Sequence, residues 1–488
     1  MLALAASGCV HPETAAPLPP PPTAQSSQLD AVWCAVPAAM AEHKLTGLSI
    51  AVFDRYRIVA VRSFGSKAVG TDAPIRDTTA FSTASISKPV TALLALMLEA
   101  EGRLDLDAPV ATYLRRWRLP DSPYPASARI TLRQLLTHRA GTSQHGFADY
   151  YEGDRIPTLV DSLEGRIPRY DKPIAFLFAP GTDWKYSGGG YVIAQMAIED
   201  RTGRPLAALA AEKVFGPLGM RHTSMIQPGE PGFARDVALV HDEQGRIIRT
   251  GLPITPQVSA SGMWSTPTDL ARFAIAIQRA LMGSHDGPVT PAMARALTGI
   301  VSLKPVGGMA MPFFRGFGLG RTDWFRHDGS NTGVNSDLFG AMTGGYGFVL
   351  MGNGDDANTG PVFAMLRGAI IDTMRWGATP PPDRPIDPAL ARALPGTYKG
   401  LLYDLGLDYR IEEQDGALWI ASDFFTQFLG RDASRMRHLG GGTFAIDDYP
   451  NRLRFHRGAD GRIVQVTIDR PGSGADPVTR PVERVGAP

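Results

Sequence analysis

The spacing of apolar and polar positions divides this chain into stretches of different period. From about residue 30 to His43 the apolar residues recur at helical spacing, after which "GLSIAVFDRYRIVAVRSFG" reads as two strands around an "FDRYR" turn. The run "SISKPVTALLALMLEAEG" turns apolar at helical spacing again. From roughly 105 to 300 short helices alternate with Gly/Pro-rich loops, with the i, i+3, i+4 pattern clearest in "LRQLLTH", "GGGYVIAQMAIEDRTG" and "TPTDLARFAIAIQRALMG". Strand character returns in "GFGLGRTDWFRHDG", "NSDLFGAMT" and "YGFVLMGNGDD", before a last helix, "GPVFAMLRGAIIDTMRWG".

That helix runs into "ATPPPDRPIDP", the clearest boundary in the chain. Beyond it, short alternating runs split by "QDG" and "ADG" turns predict a small all-β barrel, lipocalin-like in outline. The expected organisation is an export signal and Pro-rich tether over 1–28, a catalytic-type domain over 29–377, a linker over 378–388 and the barrel over 389–488. With strands at both ends and helices between, the larger unit is expected to be α/β (α+β). Its terminal strands lie side by side in one antiparallel sheet, with helices on the faces and a helical lobe alongside.

Candidate chemistry concentrates in "FSTASISKPV", where Ser82, Ser85 and Ser87 precede Lys88. Residues three apart share a helix face, so Ser85 and Lys88 can meet while Ser87 points elsewhere. Pro89 is tolerated only in a first helical turn, which places the helix start near Ser85. There the backbone N–H groups can stabilise an oxyanion, and the dipole disfavours a charged lysine, so a desolvated Lys88 could serve Ser85 as a base. An N-cap serine beside an exposed lysine would give the same tetrapeptide.

Six ordered stretches add to that motif: "DTTAFSTASISK", "ITLRQLLTHRAGTS", "PGTDWKYSGGGYVIAQ", "VFGPLGMRHTSM", "ASGMWSTPTDLARF" and "WFRHDGSNTG". Together, over most of residues 40 to 375, the chain resembles the penicillin-recognising serine hydrolases: class C β-lactamases, DD-peptidases and related esterases. The resemblance implies a β-lactamase/transpeptidase-like fold. It implies Ser85 as nucleophile, Lys88 as its activating partner and Tyr186 of "KYSGGGY" as proton relay. Tyr191 is a rival for the last role, although its helical spacing suits packing. The family's Lys-Thr-Gly stands here as His327-Asp328-Gly329. On a strand His327 and Gly329 share one side, so His327 would line the site and Gly329 would admit the substrate, with the Ser330 N–H as second oxyanion donor.

Two positions depart from the family. Gly188 replaces the Asn of the Tyr-x-Asn pattern, removing an anchor for amide substrates, and His327 replaces a permanent cation. Both lean away from efficient β-lactam hydrolysis and toward esters or small amides, D-amino-acid amides among them. Trp264 and His145 are candidates for a replacement contact, with core packing an equal alternative for Trp264. A non-catalytic or slowly acylating recognition protein is the competing reading.

Lys plus Arg is 49 against 48 Asp plus Glu, so charge implies no nucleic-acid partner, and the substrate is expected to be a small molecule or peptide. No Gly-x-Ser-x-Gly, His-Glu-x-x-His or His-x-His occurs, so neither an α/β-hydrolase nor catalytic metal is expected, and no cofactor. The "GGG" at 188–190 is expected to make a tight turn. Two cysteines exclude a disulfide framework, and Cys34 is expected to pack as a small apolar side chain. The start, "MLALAASGCVHPETAAPLPPPP", resembles a bacterial signal with a lipobox at Cys9. It implies export to the periplasm and anchoring through a lipidated Cys9.

Overall fold

The computed structural model describes residues 28–488, except 168–170, 305–306, 318–321, 378–380, 400, 402–407, 424–431, 448, 450, 470–476 and 486–488. The signal, lipobox and most of the tether, and the first residues of the linker, lie outside the described residues.

Helix α1 (Asp30–Glu42) leads into β1 (Gly47–Asp54) and β2 (Arg57–Gly65). Arg55 and Tyr56 both take positive φ, which matches the twist of a two-residue hairpin turn. After β3 (Phe81–Ser82) come α2 (Ser87–Ala100), α3 (Gly188–Thr202), β4 (Trp264–Ser265) and α4 (Pro267–Leu281). The chain then returns through β5 (Ser302–Lys304), β6 (Gly307–Met309), β7 (Phe314–Phe317), β8 (Asp323–Asn331), β9 (Val334–Ala341) and β10 (Gly347–Gly352), and ends this unit with α5 (Asp356–Met374).

One eight-stranded sheet has the order β2-β1-β10-β9-β8-β7-β6-β5, antiparallel throughout. The N-terminal strand β1 pairs with the last strand, β10, as the sequence pattern predicted. Its residues are buried on both sides because helices cover both faces. Leu48, Ile50 and Val52 pack toward α1 and α5 with Trp33, Val36, Val362 and Leu366, while Ala51 and Phe53 join the core of α2, α3 and α4. That double burial explains why "GLSIAVF" reads as a near-continuous apolar run rather than an alternating one.

Cys34 lies exposed on α1, so the expected apolar packing does not occur. The helix puts Val32, Trp33, Val36 and Met40 inward instead.

The second unit has nine strands: β11 (Gly396–Lys399), β12 (Asp408–Gln414), β13 (Ala417–Ala421), β14 (Ala433–Gly440), β15 (Thr443–Ile446), β16 (Arg452–Arg457), β17 (Ile463–Asp469), β18 (Val478–Pro481) and β19 (Glu483–Val485). Neighbours pair in sequence order, and β18 and β19, separated by Val482 alone, pair with β17 and β11. The last segment therefore crosses from one edge of the sheet to the other and nearly closes the barrel, removing its edges. Alternating positions such as Tyr409, Ile411, Leu453 and Phe455 fill the interior. Residues 383–387 run along β14: Asp383 accepts from the His438 N–H and from Arg435, and the Arg384 N–H donates to the His438 carbonyl. Among the described residues no helix is long and apolar enough to cross a membrane.

Candidate active site

The serine-rich segment is pinned before it enters α2. Phe81 and Ser82 pair with Ser265 and Trp264, and the Thr83 N–H donates to the Met263 carbonyl. Ala84 takes φ +45, a strained value for a residue with a Cβ, and sets the turn that presents Ser85. Helix α2 begins at Ser87, two residues later than expected, and the Lys88 N–H to Ser85 carbonyl bond (3.0 Å) still stacks the two residues on one side. Ser82 is buried in β3, and Ser87 Oγ donates to the Ala84 carbonyl and accepts from the Met263 N–H. Of the three serines, only Ser85 reaches the cleft.

Lys88 is 2% exposed, surrounded by the apolar core at the helix start. Its Nζ lies 3.1 Å from Ser85 Oγ and 2.8 Å from the Ala260 carbonyl, and 4.7 Å from the centre of the Tyr186 ring. Burial lowers its pKa to about 7, against a smaller opposing pull from the Asp328 carboxylate. The lysine is thus half neutral near pH 7 at hydrogen-bond distance from a serine hydroxyl. The Ala260 carbonyl takes one N–H of that amine, which leaves its lone pair available to Ser85.

Tyr186 sits in the extended segment ahead of α3. Burial raises its pKa and a hydrogen bond with Ser85 draws it partly back, so it is a neutral phenol beside the serine. Tyr191, the rival, is fully buried and donates to the Leu136 carbonyl at 2.8 Å. Gly188, Gly189 and Gly190 form the first turn of α3, capped by Ser187 Oγ, rather than a loop turn. Glycine is needed there for packing: a Cβ on Gly188 would lie 2.9 Å from the His145 carbonyl and 3.1 Å from the Phe147 ring. The space that an Asn side chain would occupy is filled by the 145–147 backbone and ring.

Strand β8 brings His327 into the cleft at 1% exposure, so it is not a surface residue. Its partner β7 stops at Phe314 opposite Arg326, so on that side the edge from His327 to Asn331 continues without β7 and borders the cleft. His327 Nδ1 donates to the Asp328 carbonyl at 2.7 Å, which fixes Nε2 as an unprotonated acceptor, and Nε2 is buried without a partner. Burial lowers this imidazole to about 4, so it is neutral at pH 7. Gly329 differs from expectation. A Cβ there would lie 2.0 Å from the Thr83 carbonyl, so the glycine serves contact between β8 and the segment carrying Ser85, not approach of the substrate. Ser330 is exposed and lines the same cleft.

The cleft holds about 660 Å³, and Ser85, Lys88, Tyr186, His327, Ser330 and His145 line it together. Trp264 does not; it is 1% exposed and packs with Ala80 and Val237, because β4 must back the serine segment. Three contributors were missed in the sequence. The Ala260 carbonyl has no side-chain signal. His138 packs against Tyr186 (ring centres 4.5 Å apart, planes tilted by 32°) while its Nδ1 accepts from the Ser187 N–H, and it lay in the quoted "LLTH" without a role. Phe314 lies face to face with Tyr186 across the cleft and against His327.

Over 232 residues, 46% of this chain, the sequence is 32% identical to Esterase EstB of Burkholderia gladioli and covers 57% of it. It is 27% identical to Penicillin-binding protein 4 of Amycolatopsis lactamdurans over 74% of this chain and 95% of that one. With a D-aminopeptidase of Brucella anthropi the figures are 28%, 38% and 34%. The match thus spans little more than half of the esterase and about a third of the aminopeptidase. Among solved structures, the octameric penicillin-binding protein homologue from Pyrococcus abyssi superposes with a TM-score of 0.59 at 19% identity, over 94% of this chain and all of that one. The D-amino acid amidase from Ochrobactrum anthropi SV3 gives 0.58 at 18% identity over 72% of this chain and 99% of that one, a likeness of fold. The family model described as Beta-lactamase matches residues 35–367, the span that holds the whole sheet, most of its helices and the cleft around Ser85. By that match over more than half its length, the chain belongs to the beta-lactamase family.

Proposed function

We propose that this protein is a serine hydrolase that works through an acyl-enzyme on an ester or a small amide. The observation that carries the reading is Lys88: a buried amine with a pKa near 7, 3.1 Å from the Ser85 hydroxyl. In this account Lys88 takes the Ser85 proton as Ser85 Oγ attacks the carbonyl carbon. The N–H groups of Ser85 and Ser330 receive the oxyanion. Tyr186, a neutral phenol hydrogen-bonded to Ser85, passes a proton to the leaving group, and water then releases the acid. The filled space at Gly188 and the neutral His327 both disfavour β-lactams, which carry an acylamido group and a carboxylate.

Export and lipid anchoring at Cys9 belong to the same proposal and rest on the lipobox-like "ASGC". Labelled palmitate should enter the wild type and not Cys9→Ser; a mass that shows Cys9 bridged to Cys34 contradicts it. Activity is tested with short-chain aryl esters, a chromogenic cephalosporin and D-alanyl amides. Ester or amide turnover that Ser85→Ala abolishes supports the reading. Cephalosporin turnover above all the others overturns the substrate class.

A further inference from the structure

His138 grips the chain on both sides of Tyr186. The Lys185 N–H donates to the His138 carbonyl at 3.0 Å and the Ser187 N–H to its Nδ1 at 3.1 Å, so the two amides that flank the tyrosine end on one residue. The imidazole also lies against the Tyr186 ring, with centres 4.5 Å apart. Backbone and ring of Tyr186 are thus held from the same place.

Two features at this position are unfavourable for a histidine that only packs. His138 follows the short helix Leu132–Leu136 with φ +59, the left-handed conformation in which glycine is usual at a helix end. It is 2% exposed, and its Nε2, which carries the proton because Nδ1 accepts, is buried without a partner. An unsatisfied buried donor costs about 1–3 kcal/mol, which a leucine would avoid. Packing alone does not select this residue. Burial, with Lys88, His327 and His145 nearby, holds the imidazole well below its ordinary pKa, so Nδ1 stays an acceptor.

We propose that His138 is the positioning residue for Tyr186, holding the phenol at Ser85 through the Ser187 N–H and the face of the ring. His138 does not line the cleft, so it acts through Tyr186 and not on the substrate. This inference rests on the serine-hydrolase reading with Tyr186 as proton relay, and it adds a residue to that machinery.

A double-mutant cycle on the full chain tests it, with kcat for the best substrate of the ester and amide panel as the readout. His138→Gln moves the acceptor by one bond, and His138→Leu removes it. Each should lower kcat by about 10-fold or more while KM changes less than about 2-fold, because what is displaced is the relay and not a substrate contact. In the Tyr186→Phe background, which has no phenol to place, the same replacements should change kcat by less than about 2-fold. His138→Asn keeps an acceptor near the Nδ1 position and tolerates the left-handed backbone, so it should recover most of the loss. A fluorophosphonate should still label Ser85 in all of these variants, since Lys88 is untouched. An equal loss in the wild-type and Tyr186→Phe backgrounds overturns the inference and leaves the hydrolase reading standing. Wild-type protein that turns over no ester or amide and is not labelled at Ser85 overturns both. Whatever the stability of the variants, 15N-histidine spectra of the wild type should show His138 with a bare Nδ1 and a protonated Nε2 from pH 6 to 9. A protonated Nδ1 overturns the inference.

Discussion

Lys88 makes the sharpest prediction, because its catalytic value and its cost to the fold have one origin. Holding it at about 7 rather than 10.5 corresponds to about 5 kcal/mol of preference for the neutral amine. Below pH 7 the unfolded and the folded chain both carry the proton, and the full cost of burying it is present. Between pH 7 and 10.5 the unfolded chain binds a proton that the folded chain has released, so stability rises with pH. Above 10.5 the cost is gone. At pH 7 the remaining penalty is about 4 kcal/mol, and at pH 10 it is below about 1 kcal/mol. Lys88→Met removes the titration, keeps the volume, and leaves the Ala260 carbonyl without its 2.8 Å donor, a loss of about 1–3 kcal/mol. The variant should therefore be more stable than the wild type by about 1–3 kcal/mol at pH 7 and equal or less stable at pH 10, while inactive at both. Urea unfolding followed by tryptophan fluorescence measures this in the larger unit, since of the seven tryptophans only Trp419 lies in the barrel. Parallel stability curves for the two proteins from pH 6.5 to 10 would show an ordinary lysine and refute the reasoning.

Tyr186→Phe removes the phenol beside Ser85 and should lower kcat by roughly 10² with an unchanged melting temperature, measured with an aryl ester and by calorimetry. Gly188→Asn restores the family's residue but drives a Cβ to 2.9 Å from the His145 carbonyl. It should destabilise by about 1–3 kcal/mol in thermal unfolding and confer no cephalosporin turnover. Gly329→Ala places a Cβ 2.0 Å from the Thr83 carbonyl, so it should lower both the melting temperature and the rate of Ser85 acylation by a fluorophosphonate.

The fold was legible where burial writes itself as a period. The doubly covered β1 reads as an apolar run, and barrel strands such as β13 alternate because water wets one face. The turn at Asp415-Gly416 was visible as "QDG", and both residues take positive φ there. Strands β5 and β6 carry no such signature, since three-residue strands at a sheet edge are too short to set a pattern. At the site, Ser85 and Lys88 could be read because their pairing needs only three residues of spacing. What the spacing concealed was long-range. The Ala260 carbonyl is 172 residues from Lys88, and the Thr83 carbonyl that demands Gly329 lies on another element. Both glycines looked like openings for substrate or missing anchors, and both are places where backbone fills the space.

The central claim is that Ser85 alone carries the acyl group. A fluorophosphonate or fluorescent-penicillin adduct, mapped by peptide mass spectrometry on the full chain, tests it directly. The account predicts one modified peptide, "AFSTASISK" with the label on Ser85, lost in Ser85→Ala and slowed in Lys88→Ala. A label on another serine, or a Ser85→Ala protein that labels and hydrolyses like the wild type, would contradict it.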